Sequence, residues 1–226
     1  MSGRPALDAD RWILSRRPPK NAVDPWQPYH YLVEQERTRE GRLDDLGTIF
    51  LTNRECPFRC LFCDLWKNTT DERVPDVAII AQIEWALERM PTVQHLKLYN
   101  SGNFFDPQAI PPGDLPQIAN RVAEFETIIV ECHPRLVGRS CFEFQERLKP
   151  ALEVAMGLEM AHAEVLARLN KRMTLDDFQR AAGRLRERGI GVRAFILLRP
   201  PFLDDAAGGL WANRSLDFAF DAGVEC

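Results

Sequence analysis

Three cysteines fall within eight residues of this chain, at Cys56, Cys60 and Cys63. At spacings of four and three, thiols serve as metal ligands, redox partners or inert buried groups. On a helix the three would share one face as ordinary core residues. Pro57 opposes that reading, because it lacks a backbone N–H and pushes Cys56 toward extended geometry. The cysteines therefore belong on a loop. A structural zinc ion would need a fourth ligand, for which Cys132 or His133 is available, and the chain would then be a zinc-stabilised, non-enzymatic binding module. An iron–sulfur cube on three thiolates is the preferred reading. It leaves one iron without a protein ligand, and an open metal position marks a site that does chemistry. A fourth cysteine ligand would instead point to electron transfer alone. Arg54 and Arg59 lie near enough in sequence to favour thiolates.

The elements that position such a loop can be read from the rest of the chain. Its 226 residues are 45% apolar and 27% charged with a net charge of −4, enough for one sizeable core. That balance excludes a disordered tail and argues against a broadly basic nucleic-acid surface. The apolar runs are far shorter than the roughly 18 residues of a membrane span, and the N-terminus lacks a secretory apolar stretch. The expectation is a cytoplasmic protein with no membrane partner.

Residues 1–47 are polar and proline-rich and read as an irregular N-terminal extension, leaving 48–226 as the core domain. Strand-like runs follow at Thr48–Thr52, His95–Tyr99, Thr127–Val130, Leu152–Met156 and Val192–Leu198. They show no clean alternation, as when both faces are covered. Helical periodicity separates them. Asp76–Met90 places Ile79, Ile80, Ile83, Leu87 and Met90 on one face, and Pro91 stops it. Thr174–Arg188 starts on an N-cap threonine with Asp177 three residues on, and Gly189 stands at its C-terminal cap. Leu115–Phe125, Cys141–Leu148 and Ser215–Asp221 fill the other gaps. Alternating strands and helices predict α/β class with parallel strands and right-handed crossovers. Val224–Cys226 reads as a sixth strand just starting, as at the end of a fragment.

The motif C-x3-C-x-Φ-C, with Phe62 as the aromatic Φ, after the first strand of a β/α domain resembles the fingerprint of the radical S-adenosylmethionine (SAM) superfamily. The stretches NRECPFRCLFCD, LYNSGNFFDP, VECHP, GLEMAHAEVLARLNKR and LLRPPF are similar to the archaeosine synthase radical SAM subunit and its bacterial relatives, over about residues 45–225. The catalytic subunit of Elongator is a more distant likeness. The resemblance implies a partial (βα)6 radical SAM barrel, with five strands present and the sixth cut short. It also implies a 4Fe–4S cluster on Cys56, Cys60 and Cys63, with SAM on the fourth iron. Reductive cleavage of SAM would then yield a 5′-deoxyadenosyl radical that abstracts hydrogen from substrate. A flavodoxin or ferredoxin would supply the electron. Both named relatives act on tRNA, which makes tRNA base modification the expected reaction; a small-molecule substrate is the alternative.

In parallel β/α folds the site gathers at the carboxyl ends of the strands. After the second strand, Asn100, Ser101 and Gly102 stand where the superfamily binds the SAM amino group, often with Gly-Gly-Glu. Here Asn-Ser-Gly departs from that pattern, and an ordinary turn explains it equally well. Glu131 ends the third strand, suited to a ribose hydroxyl or an ammonium, or to a rim salt bridge. Glu159 closes the fourth, where the resemblance implies a polar SAM contact. Lys171 precedes a helix, as a partner for the SAM carboxylate or as part of a solvated basic turn.

Overall fold

The computed structural model describes residues 6–225. Its elements are α1 (Ala6–Leu14), β1 (His30–Arg37), β2 (Leu43–Phe50), α2 (Ala78–Leu87), β3 (His95–Tyr99), α3 (Leu115–Arg121), β4 (Thr127–Glu131), α4 (Arg139–Arg147), β5 (Ala151–Glu159), α5 (Ala163–Arg168), α6 (Leu175–Arg186), β6 (Gly191–Ile196) and α7 (Asp205–Asp221). One sheet runs β1-β2-β3-β4-β5-β6, with β1 antiparallel to β2 and the rest parallel.

This corrects the expected five-stranded partial barrel with an irregular extension. The sheet has six strands, and the additional one, β1, lies within residues 1–47. Its sequence, HYLVEQER, carries charge on a strand whose burial is only partial, so it gives no apolar run to read. No strand begins at Val224; Glu225 donates one backbone hydrogen bond to Val192, and Cys226 lies outside the described residues.

The register shows why the strands are two-faced. Ile49, Leu98, Val130, Val154 and Val192 form one row across the parallel strands, all buried in the main core against the helices. The opposite face carries Thr48, Lys97, Ile129 and Glu153 in one row, and Phe50, Tyr99, Glu131, Ala155 and Arg193 in the next. The strands do alternate, but their inner face is partly charged. Toward the amino ends of the strands, Glu36 from β1 is bonded to Lys97, and Arg193 reaches Glu36 at 2.8 Å and Glu153 at 3.2 Å. These contacts link β1 to β3 and β6 across the inner face, so the sheet is strongly curved.

Helix α6 has the expected capping box. Thr174 Oγ1 accepts from the Asp177 N–H at 3.1 Å, Asp177 Oδ2 accepts from the Thr174 N–H at 2.8 Å, and Gly189 follows at φ +71°. Phe178, Ala182 and Leu185 are buried beneath it. Helix α2 buries Ile79 and Ile83 and also sends Gln82 inward, whose amide bonds both the N–H and the C=O of Thr52 at 2.7 Å. The exit of β2, where the cysteine loop departs, is thereby tied to the helix behind it.

Candidate functional site

A cavity of about 330 Å³ opens at the carboxyl ends of the strands. Cys56, Cys60 and Cys63 all line it, with Phe62 beside them. The loop is held from several directions. The Leu61 N–H donates to Leu169 O at 2.9 Å, Asn170 Nδ2 donates to Arg59 O at 2.7 Å, and Trp66 Nε1 donates to Cys63 O at 3.1 Å. Phe58 stacks on His133 with ring centroids 3.8 Å apart. On the outer side, Glu55 receives Arg17 at 2.6 Å, Lys20 at 3.0 Å and Arg59 at 3.1 Å. Arg17 and Lys20 belong to the segment that precedes β1, so that segment straps the loop from outside.

Among the remaining candidates, Ser101, Gly102, Glu131, Glu159 and Lys171 line the same cavity, whereas the fully buried Asn100 side chain does not. Glu131 Oε1 accepts from the Asn100 N–H at 2.6 Å and the Gly102 N–H at 3.0 Å, so this carboxylate shapes the loop after β3. Burial raises its pKa, and the loop amides pull the other way. Glu159 and Lys171 pair with each other at 2.7 Å, both buried. Burial works against the Lys171 charge, but the Glu159 carboxylate outweighs it and holds its pKa above the ordinary lysine value. Gly157 makes room for this pair, since a β-carbon there would stand 2.2 Å from Glu159 Oε1 and 2.3 Å from Lys171 Nζ. Ser101, Glu159, Asn170 and Arg172 all adopt left-handed backbone, strain of about 1–3 kcal/mol each of the kind that collects at functional sites.

Two contributors, Tyr29 and Asn103, carried no usable sequence signal, and His133 takes a role other than the metal ligand weighed for it. Tyr29 reaches in from the N-terminal segment and shares a hydrogen bond with Ser101 Oγ at 2.9 Å. Asn103 donates from Nδ2 to Cys56 Sγ at 3.1 Å. His133 accepts at Nδ1 from the Arg135 N–H at 3.2 Å, so Nε2 carries the proton and donates to Lys171 O at 2.9 Å. With both nitrogens engaged, His133 is not available as a metal ligand. The Cys132 thiol donates to the His133 carbonyl at 3.4 Å.

These residues fit an iron–sulfur cluster better than a zinc ion. Among the described residues no group of three His, Cys, Asp or Glu is placed to hold a single metal ion. A cubane spreads its ligands more widely than an ion does. Burial pushes the Cys56 thiol up to about 11 and the Cys60 thiol up to about 12, and raises Cys63 as well. Such thiols are neutral on their own, and a multivalent cation is what converts them to thiolates.

Residues 50–207 match the model of the radical SAM superfamily. The chain belongs to the radical SAM superfamily. A 4Fe–4S cluster and SAM are the cofactors typical of radical SAM enzymes, and the closely spaced cysteines agree with them. An uncharacterized protein of Methanocaldococcus jannaschii is 24% identical over 201 residues, 82% of this chain and 55% of its own length. Archaeosine synthase subunit beta of Thermococcus kodakarensis is 28% identical over 166 residues, 70% of this chain and 51% of that protein. The corresponding subunit of Methanosarcina acetivorans is 28% identical over 71% of this chain and 49% of its own. The chain thus spans about half the length of the curated relatives it matches. Among solved structures, the radical SAM methyltransferase TsrM of Kitasatospora setae, with cobalamin and a 4Fe–4S cluster bound, aligns with a TM-score of 0.56. It is 17% identical and covers 76% of this chain and 34% of that one. The cobalamin-dependent SAM radical enzyme OxsB aligns at 0.51 and 17% identity, over 75% of this chain and 26% of that one. Both likenesses speak to the fold. Among the described residues, no helix is long and apolar enough to cross a membrane.

Proposed function

We propose that Cys56, Cys60 and Cys63 hold a 4Fe–4S cluster with one iron left for SAM, and that the protein modifies a base in tRNA. One observation carries the metal reading: the Cys60 thiol, buried, and the Cys56 and Cys63 thiols, half-buried, line a single cavity, while Cys132, which also lines it, donates to the His133 carbonyl and His133 has both nitrogens engaged. When bound, the cluster and SAM supply a carbon-centred radical able to abstract hydrogen.

The chain's own residues do the rest. Lys171, already cationic and buried, is the partner for the SAM carboxylate, and Glu159 holds its charge in place until then. Ser101 and Gly102 present the loop that Glu131 organises, and Phe62 offers an apolar wall beside the cysteines. Tyr29, Phe50, Tyr99 and Phe195 line the opposite part of the cavity and limit the water that reaches it. The tRNA part rests on the likeness to two archaeosine synthase subunits. A flavodoxin or ferredoxin is the proposed electron donor. The five described cysteines are all free thiols, which suits a reducing cytoplasm.

Anaerobic reconstitution with iron and sulfide should give about one 4Fe–4S cluster per chain, lost in Cys60→Ala. With dithionite and SAM the loaded protein should release 5′-deoxyadenosine and methionine, faster when tRNA is added. Tightly bound zinc without SAM turnover overturns the metal reading. Turnover that ignores tRNA but responds to free nucleosides overturns the tRNA substrate alone.

A further inference from the structure

Asn103 stands where the loop after β3, the end of β4 and the cysteine loop meet. Its side chain is buried, with the residue 1% exposed. Oδ1 accepts a hydrogen bond from the His133 backbone N–H at 2.5 Å, and Nδ2 donates to Cys56 Sγ at 3.1 Å. The first bond fixes which way the amide faces. A backbone N–H donates only to an acceptor, so the oxygen end is the one at His133 and the nitrogen end is the one at sulfur.

The donor has little freedom to leave. Gly102 lies so near Cys56 that a β-carbon on it would stand 3.0 Å from Cys56 Cβ. One residue beyond Asn103, the Phe104 N–H donates to Glu131 O at 2.9 Å, and the Asn103 carbonyl accepts from the Asp106 N–H at 3.1 Å. Cys63 is approached by backbone N–H groups alone, those of Leu65 and Trp66, whereas Cys56 is approached by the Phe58 backbone N–H and by the Asn103 side chain. Cys56 thus receives a side-chain donor that a substitution can delete without altering the backbone.

We propose that Asn103 is a positioning residue that sets the reduction potential of the cluster through Cys56. This rests on the reading that Cys56, Cys60 and Cys63 hold a 4Fe–4S cluster. A cluster that accepts one electron places more negative charge on its sulfur ligands. A fixed N–H donor stabilises the reduced form more than the oxidised form and so raises the potential. Through Oδ1 the same amide ties Cys56 to the end of β4, so the donor's position depends on that strand.

The test is a redox titration of the loaded protein with dithionite as electron donor, followed by electron paramagnetic resonance of the reduced cluster. Asn103→Asp keeps the size and the acceptor for the His133 N–H but replaces the donor at sulfur with an oxygen; Asn103→Leu removes both. Each should lower the reduced-to-oxidised ratio at a fixed ambient potential about tenfold, a shift of about 59 mV to more negative values for one electron. Iron content of the Asp variant should stay at the wild-type level, whereas its Tm should fall, because a carboxylate replaces a neutral amide at a buried site. An unmoved potential in a fully loaded variant overturns the role of Asn103. So does an Asn103→Asp or Asn103→Leu chain that folds yet cannot hold iron, since the residue would then be needed for assembly rather than tuning. A wild-type chain that never takes up iron removes the cluster reading itself, and this proposal with it.

Discussion

Gly157→Ala adds a single methyl group where the Glu159 and Lys171 head groups lie against the cavity wall. The new β-carbon would stand 2.2 Å from Glu159 Oε1 and 2.3 Å from Lys171 Nζ, so each head group must retreat by at least 0.7–0.8 Å to reach 3.0 Å. They are bonded to each other at 2.7 Å, and both are flexible head groups at the cavity wall, so the methyl must shift or part the pair. Overpacking of this kind costs about 1–3 kcal/mol. Full separation of the pair raises the loss toward about 3–5 kcal/mol, because two charges would then be buried without partners. We expect urea unfolding, followed by tryptophan fluorescence, to show a loss of about 2 kcal/mol with an unchanged m-value. Titration calorimetry with SAM should show weaker binding by at least tenfold. In a Glu159→Ala background the Lys171 ammonium has space to move, so the same methyl should cost less than half as much. A Gly157→Ala chain within about 0.5 kcal/mol of wild type would refute the reasoning.

Two further outcomes test the surroundings of the site. Burial, with Lys171 nearby, depresses the His133 pKa from 6.5 to about 4. The unfolded chain therefore binds the extra proton between those values, and stability falls as pH drops from 6.5 toward 4, by at most about 3 kcal/mol. His133→Gln should flatten that part of the stability–pH curve; an unchanged slope assigns it to other groups. Glu55→Gln leaves Arg17, Lys20 and Arg59 without their shared carboxylate. Because the three cations are only partly buried, a modest loss of about 1–2 kcal/mol is expected, with faster removal of bound iron by a chelator. Iron release at the wild-type rate would show that the strap does not protect the loop.

The motif chemistry was legible because it depends on local spacing. Cys56, Cys60 and Cys63 need only a loop after a strand, and Pro57 shows that helix geometry is excluded there. Thr174, Asp177 and Gly189 announced the ends of α6 for the same reason. What escaped sequence reading depends on contacts between distant residues. Glu159 reads as a strand-end group and Lys171 as a basic residue before a helix, yet left-handed turns at Glu159, Asn170 and Arg172 bring them to each other. Asn103 reads as part of a turn until its amide is seen between Cys56 and His133. Strand β1 escaped because its inward side chains are charged, and their partners, Lys97 and Arg193, lie 61 and 157 residues further along.

That last pairing bears on where the protein can be cut. Glu36 is the shared counter-ion of a lysine on the third strand and an arginine on the sixth, both nearly closed off from solvent. A version trimmed to begin at residue 48 would keep the whole cysteine motif and still lose the carboxylate that lets two cations sit inside the curve of the sheet. It would also shed Tyr29, Arg17 and Lys20, which touch the cavity loops directly. The described residues before 48, for all their polar and proline-rich character, are the inner lining and outer clasp of the same chamber.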